Sequence, residues 1–255
     1  MRIAAIQHDI VWENPSANYQ NIAPMISKAS DSGANLVLLS EMYSTGFSMA
    51  SEKIAEKQEG ESVSFLAEQA KLHDIWIAAS IPIKDNENEL PVNRLIVRGP
   101  KNESHEYDKL FPFTFAGEHE NYRAGNQPVT IEILGIRTSL FICYDLRFAD
   151  VFWELAPDTD LYLVVANWPS TRSEHWKSLL RSRAIENQAY VVGVNRVGEG
   201  GDGLSYQGDS AIIDPLGEVL QEASSGGEEI LIADIEVEKV SEVRDAFPFM
   251  NDRRK

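Results

Sequence analysis

Apolar runs that alternate with amphipathic segments constrain the fold of this chain most strongly. The run at 35–41 (NLVLLSE) is continuously apolar, which is typical of a strand buried on both faces of a sheet. Similar runs occur at 2–7, 75–83, 137–143 and 161–168, and segments with the apolar spacing of helices lie between them. The alternation predicts a layered α/β fold in which two mixed sheets have helices on their outer sides.

Local signals place the ends of several of these elements. Asn14 followed by Pro15 predicts the start of a helix, and Gly33 predicts its end. The stretch 214–217 (DPLG) predicts the turn of a hairpin, and the glycine-rich stretch at 198–203 predicts a flexible loop. The sequence contains no linker or low-complexity stretch, so we expect residues 1–255 to form a single domain.

The charge, the single cysteine and the lack of long apolar runs indicate which partners and which cellular location to expect. The chain has 40 acidic and 23 basic residues, a formal net charge of −17, which disfavours nucleic acid and anionic membrane surfaces as partners. Its single cysteine, Cys143, cannot form an internal disulfide. The first residues do not have the pattern of a signal peptide, and no apolar run approaches the ~20 residues of a membrane span. These features predict a cytoplasmic protein.

Cys143 is the first candidate for chemistry. It ends an apolar strand and begins the segment CYDLRF, which is predicted to open a helix. Such an elbow exposes a side chain at the edge of a sheet and directs free backbone N–H groups, including that of Tyr144, toward a developing negative charge. A helix N-terminus also lowers the pKa of a thiol, so we expect a nucleophilic thiolate. The alternative is a buried structural cysteine.

Two further residues have the chemistry that a thiol nucleophile needs. Glu41 ends the apolar run at 35–41, where a carboxylate can act as a general base; the alternative is a loop carboxylate that leaves the core. Lys109 lies among aromatic residues in YDKLFPF, where its ammonium could stabilise an oxyanion; the alternative is a solvated surface charge. The five histidines show no metal-binding spacing, so we expect no metal site.

The segments around these three residues resemble the Glu, Lys and Cys motifs of the nitrilase superfamily, the carbon–nitrogen hydrolases. The resemblance extends over essentially the whole chain. Five later segments are similar, more narrowly, to the omega-amidase branch: Asn167-Trp168-Pro169, His175-Trp176, residues 183–188, Asn195-Arg196 and Gly208-Asp209-Ser210.

This resemblance implies a four-layer α-β-β-α sandwich, no metal, no organic cofactor, and a homodimer or larger homo-oligomer. It implies that Cys143 attacks an amide, that Glu41 transfers protons, and that Lys109 holds the oxyanion together with the Tyr144 N–H. It also assigns a second glutamate to the site at Glu118, for which an exposed loop carboxylate is the alternative.

Membership of the omega-amidase branch implies a small-molecule substrate, a 2-oxo dicarboxylic acid monoamide, whose far carboxylate needs a cation. Arg172 and Arg147 are the candidates, since arginine binds carboxylates bidentately, and a structural role is the alternative for each. Trp168 and Phe113 are expected to wall the pocket, with core packing as the alternative. A short-chain amidase, an N-carbamoyl hydrolase, a nitrilase, or a non-catalytic binding protein on the same fold are the competing functions.

Overall fold

Fourteen β-strands form two sheets and a short hairpin in the computed structural model, which describes residues 1–201 and 203–254. In chain order the strands are β1 Arg2–Gln7, β2 Leu36–Leu38, β3 Trp76–Ile83, β4 Val92–Arg98, β5 Ser104–Asp108, β6 Thr130–Ile133, β7 Ile136–Ile142, β8 Leu161–Ala166, β9 Tyr190–Asn195, β10 Val197–Glu199, β11 Ser205–Gln207, β12 Ala211–Ile213, β13 Val219–Glu222 and β14 Glu229–Asp234.

The two six-stranded sheets share one topology. The first has the order β14-β1-β2-β3-β4-β5 and the second the order β13-β12-β9-β8-β7-β6. In each sheet three neighbouring strands are parallel (β1, β2 and β3; β7, β8 and β9), and antiparallel strands flank them on both sides. Both sheets are therefore mixed, as predicted.

Seven α-helices and five short 3-10 turns connect the strands in the described residues. The helices are α1 Pro15–Asp31, α2 Ser51–Ile54, α3 Glu61–His73, α4 Glu118–Asn121, α5 Ala149–Leu155, α6 Ser173–Asn187 and α7 Val237–Ala246, and the 3-10 turns are Thr114–Ala116, Cys143–Arg147, Ala156–Asp158, Ser170–Arg172 and Phe249–Asp252. None of the helices in the part of the chain described has the length and apolar composition needed to cross a membrane.

Three apolar clusters define the layers of the molecule. The central cluster lies between the sheets and contains residues of both, among them Leu36 and Leu163. A second cluster packs α1 and α3 on the outer face of the first sheet, and a third packs α5 and α6 on the outer face of the second. The layer order is helix, sheet, sheet, helix, which confirms the predicted α-β-β-α sandwich.

The first helix shows how local signals determine these elements. The Asn14 side chain accepts a hydrogen bond from the backbone N–H of Ala17 at 3.2 Å, and Pro15 is the first helical residue. Ile22 and Ile26 are buried against the sheet, as their spacing predicts. Gly33 follows the helix with φ +84°, a conformation that costs glycine little.

Three local predictions were wrong. The strand predicted over 35–41 covers only Leu36–Leu38, because the chain leaves the sheet before Glu41. Cys143 does not open an α-helix directly: a 3-10 turn, Cys143–Arg147, precedes α5. The glycine-rich stretch predicted as a flexible loop lies partly in a hairpin of β10 and β11, although its residue 202 lies outside the described residues.

The central cluster gives a test of the fold. Leu163 is fully buried between the sheets, so we expect Leu163→Ala to lower the free energy of unfolding by about 2–5 kcal/mol through the cavity it creates. Leu72 on α3 is 71% exposed, and Leu72→Ala is the matched control, with an expected effect within about 0.5 kcal/mol. Chemical denaturation measures both values. Equal stability of the two variants would contradict the assigned core.

Candidate active site

Glu41 lies in the loop that follows β2, and its carboxylate is completely buried. Its Oε1 accepts a hydrogen bond from the Asn93 side chain at 2.8 Å, and its Oε2 accepts one from the Asn167 backbone N–H at 2.8 Å. The Asn167 side chain also donates to the Glu41 backbone carbonyl at 2.6 Å. Asn167 directly follows β8, so these bonds join a loop of the first sheet to a loop of the second.

The ammonium of Lys109 lies between two carboxylates. Its Nζ is 2.9 Å from Glu41 Oε1 and 2.8 and 3.0 Å from the two carboxylate oxygens of Glu118, and the side chain is 1% exposed. Burial alone would lower the pKa of Lys109, but Glu118 and Glu41 outweigh it and raise that pKa above its ordinary value. An ammonium has three N–H donors, and these three contacts occupy all of them, so a bound ligand has to replace one of them.

Glu118 is the first residue of α4, and its side chain is fully buried. This position excludes the alternative of an exposed loop carboxylate. The backbone N–H of Phe113 donates to Oε2, and the Asn93 side chain is 3.4 Å from Oε1. Burial raises the pKa of Glu118 above its usual range, and the charge of Lys109 opposes that effect.

Cys143 follows β7 with φ +46°, a left-handed conformation that is unfavourable for a residue with a side chain. Its Sγ is 3.9 Å from the backbone carbonyl of Asn167. Desolvation, followed by the negative charge of Glu41, raises the pKa of the Cys143 thiol well above its ordinary value. The resting sulfur is therefore a thiol.

This finding corrects the expectation of a preformed thiolate. The prediction relied on the positive end of a helix, but the segment that begins at Cys143 is a single 3-10 turn, Cys143–Arg147, too short to build a large dipole. The negative charges of Glu41 and Glu118 also act on the sulfur and raise its pKa, and the opposing charge of Lys109 does not outweigh burial and these carboxylates. The thiol must lose its proton during the reaction.

A pocket with about 460 Å³ of empty space, part of it open to solvent, lies above Cys143. Apart from Cys143, Asn167 and two arginines, its wall is apolar or aromatic. All five residues predicted to contact substrate line this pocket together with the cysteine: Phe113, Tyr144, Arg147, Trp168 and Arg172. Tyr144 is the second residue of the 3-10 turn, so its backbone N–H is one of the donors that the turn itself does not use.

The two arginines of the pocket rest on aromatic rings. The guanidinium of Arg147 lies 4.7 Å from the centre of the Trp168 ring, and that of Arg172 lies 5.5 Å from the centre of the Phe113 ring. Neither has a carboxylate within salt-bridge distance among residues 1–201 and 203–254. Nη2 of Arg147 is 3.2 Å from Nδ1 of His175, and burial, with the charge of Arg172, lowers the pKa of Arg147.

Several residues of the site were missed in the sequence. Asn93 bonds to Glu41 and is close to Glu118, yet it lies in an ordinary strand, β4, and no motif distinguishes it. Phe47 has its ring 5.1 Å from Lys109 Nζ and lines the pocket, as do Leu204 and Tyr206 from the hairpin of β10 and β11. These contacts join residues distant in the chain, so sequence spacing gives no signal for them.

We find no group of three or more histidine, cysteine, aspartate or glutamate side chains that could hold a metal ion in the residues described. The two buried carboxylates of the site, Glu41 and Glu118, instead accept hydrogen bonds from Lys109, Asn93 and backbone N–H groups. The arrangement combines a nucleophile, a proton acceptor and a fixed cation, which are the groups that acyl transfer requires.

Comparison with known proteins identifies relatives over the full length of the chain. The omega-amidase YafV of Escherichia coli K12 is 36% identical over 252 residues, which cover 99% of this chain and 96% of that protein. The 2-oxoglutaramate amidase of Bacillus subtilis is 34% identical over 258 residues, which cover 99% of this chain and 97% of that protein. A CN-hydrolase superfamily protein of Xanthomonas campestris, solved with an arsenic adduct in its active site, superposes with a TM-score of 0.93 at 36% identity, covering 100% and 97%.

The family model for carbon-nitrogen hydrolases matches residues 2–245, nearly the whole chain. This match and the relatives above confirm the resemblance seen in the sequence motifs. The chain therefore belongs to the carbon-nitrogen hydrolase family of enzymes.

Proposed function

We propose that the protein is an omega-amidase that hydrolyses the terminal amide of a short 2-oxo dicarboxylic acid monoamide, such as 2-oxoglutaramate, to the acid and ammonia. The observation that carries this proposal is the presence of Arg147 and Arg172, both without a carboxylate partner in the described residues, in the same pocket as Cys143. Such a substrate has an amide at one end and a carboxylate at the other. The relatives named omega-amidase and 2-oxoglutaramate amidase support it.

The pocket suits both ends of such a molecule. The guanidinium groups of Arg147 and Arg172 can share the far carboxylate, and the Nδ1 atom of His175 orients Arg147. The rings of Trp168 and Phe113 contact the two guanidinium groups and hold them in place. The same rings exclude water from the short carbon chain of the substrate. Binding at the arginines places the amide of the substrate over the cysteine.

Acylation begins when Cys143 Sγ attacks the amide carbonyl. Because the thiol is protonated at rest, its proton passes to Glu41 as the sulfur–carbon bond forms. The carbonyl oxygen becomes an oxyanion, which the Lys109 ammonium, by turning one N–H away from a glutamate oxygen, and the backbone N–H of Tyr144 stabilise. Glu41 then gives the proton to the amide nitrogen, the carbon–nitrogen bond breaks, and ammonia leaves behind a thioester on Cys143.

In deacylation water is the nucleophile and Cys143 Sγ is the leaving group. Glu41 accepts a proton from water, and the resulting hydroxide attacks the thioester carbonyl in the same oxyanion site. The carbon–sulfur bond then breaks, the proton on Glu41 returns to Cys143 Sγ, and the carboxylic acid leaves. Glu118 takes no proton in this scheme: it orients Lys109 through two hydrogen bonds.

The proposal also covers the location of the protein, the cytoplasm, and its assembly into a homo-oligomer. Cys143 must stay a reduced thiol, which the cytoplasm ensures. We propose a homodimer or larger homo-oligomer whose contact includes Ile185, Leu216 and Val219, apolar side chains that are 47%, 53% and 45% exposed. A second copy of the chain would remove this surface from water.

Loss of the sulfur tests the proposed nucleophile. We expect Cys143→Ala to reduce ammonia release from 2-oxoglutaramate by at least about 10³-fold, because no other group can form the thioester. The melting temperature should stay near that of the parent protein, since the side chain is only partly buried. Unchanged ammonia release from a folded Cys143→Ala protein would contradict the mechanism.

The proposed carboxylate site is tested with two substrates. We expect Arg147→Met and Arg172→Met each to lower kcat/KM for 2-oxoglutaramate about tenfold or more, equivalent to ~1.4 kcal/mol, because each removes a charged partner of the carboxylate. The value for butanamide, which has no carboxylate, should change little. Arg181→Met, on the exposed side of α6, is the control. Equal losses with both substrates would assign the arginines a structural role instead.

Glu118 is tested against its neighbour on the same helix. We expect Glu118→Gln to lower kcat by ~10²-fold, because Lys109 loses the charged partner that orients it toward the oxyanion. KM should change little, since Glu118 does not line the pocket. Glu120→Gln removes the same charge from a side chain that is 75% exposed, and its kcat should match that of the parent protein. A Glu118→Gln enzyme with full kcat would refute this role.

A further inference from the structure

A third buried carboxylate, Asp145, lies beside the two glutamates of the site. Its side chain is completely buried, and it accepts three hydrogen bonds from protein donors. Oδ2 accepts from the Tyr107 hydroxyl at 2.7 Å and from the Ile142 backbone N–H at 2.9 Å, while Oδ1 accepts from the Phe111 backbone N–H at 2.9 Å. The mechanism above does not use this group.

The three donors belong to the two segments that deliver the reacting groups. Tyr107 and Phe111 lie two residues before and two residues after Lys109, and they belong to β5 of the first sheet and the loop that follows it. Ile142 immediately precedes Cys143 and ends β7 of the second sheet. The Asp145 carboxylate is therefore a direct link between the backbone around the cation and the backbone around the nucleophile.

The conformation of Cys143 needs such a link. Its φ of +46° is a backbone geometry that side chains disfavour, and it persists only where the surrounding structure enforces it. The bond from the Ile142 N–H to Asp145 closes the turn that contains Cys143. The bonds from Tyr107 and Phe111 then fix that turn relative to Lys109.

We propose that Asp145 is a positioning residue that sets the distance between Cys143 and Lys109, and that it does so only as a carboxylate. The inference rests on the acyl-transfer role proposed for these two residues. An ionised carboxylate accepts all three bonds. A protonated one carries its own O–H donor, which opposes one of the three donors and loosens the link.

The surroundings of Asp145 make this change accessible near neutral pH. Burial raises its pKa to about 7, against the opposing effects of the Lys109 charge and the hydrogen bonds from Tyr107 and two backbone N–H groups. Lys109 and Tyr107 are the charged and titratable groups that act on it. Burial also raises the pKa of Tyr107 well above its ordinary value, so its hydroxyl stays a donor throughout.

Tyr107→Phe weakens this link. It removes one bond to Asp145 and the acceptor of the Leu110 backbone N–H, which lies 3.3 Å from the hydroxyl, and it leaves both the carboxylate and Lys109 in place. The loss of that bond should raise the pKa of Asp145, so the acid side of the kcat–pH profile should move to higher pH by about one unit. Tyr162→Phe is the matched control: its buried hydroxyl donates to the Phe152 carbonyl at 2.9 Å and does not contact Asp145.

Two readouts separate this inference from the proposed function. The first is ammonia release from 2-oxoglutaramate as a function of pH. The second is the rate at which iodoacetamide alkylates Cys143, measured by intact mass, which needs no substrate. Alkylation also requires the thiol to lose its proton to Glu41. The alkylation rate should therefore depend on the geometry of the turn that contains Cys143.

The inference is supported when Tyr107→Phe shifts the acid side of the alkylation–pH profile to higher pH, while the profile of Tyr162→Phe superimposes on that of the parent protein. Asp145→Asn, which cannot ionise, should alkylate more slowly at all pH values and lose that acid side. Superimposable profiles for Tyr107→Phe and the parent protein, or equal shifts in both tyrosine variants, would overturn the inference. A shifted alkylation profile in a protein that releases no ammonia from any tested amide would refute the proposed function alone.

Discussion

The buried ion cluster of Lys109, Glu41 and Glu118 is the constraint on which the rest of the structure depends. An ammonium that is 1% exposed must be paired, since removing one partner of a buried ion pair typically costs about 3–5 kcal/mol. The pairing requires the loop after β2, the residue after β5 and the start of α4 to meet at one point. Desolvation at this site, followed by the negative charge of Glu41, raises the pKa of the Cys143 thiol, and Lys109 opposes that effect.

The sandwich divides the chemistry between its sheets. The first sheet and its loops supply Glu41 and Lys109, while the second supplies Cys143 and Asn167, which hydrogen-bonds to Glu41. Because the apolar cluster between the sheets fixes their separation, packing far from the pocket determines how the two halves of the site meet. Buried polar links such as Asp145 then adjust the final distances, in the way that supporting hydrogen bonds preorganise catalytic groups.

Much of the fold could be predicted from the sequence, because buried strands leave continuous apolar runs and amphipathic helices leave periodic apolar patterns. The strand Arg2–Gln7 and the capped start of α1 at Pro15 were found in this way. Glu41, Lys109 and Cys143 could be selected as candidates because each occurs within a short motif, and the structure places Lys109 beside Glu41. Asn93 and Asp145 could not be found, since their roles depend on partners that only folding brings near. The pKa of the thiol was predicted in the wrong direction because the burial and the negative charge that raise it are properties of the folded site.

In the proposed mechanism the amide carbon of the substrate becomes covalently attached to Cys143. This bond can be detected by mixing the parent protein with 2-oxoglutaramate, quenching with acid after milliseconds to seconds, and measuring the intact mass. We expect a transient adduct equal to the substrate minus ammonia, located on the peptide that contains Cys143 and formed in step with the first turnover of ammonia. Steady release of ammonia with no adduct at any time, or an adduct on another residue, would contradict it.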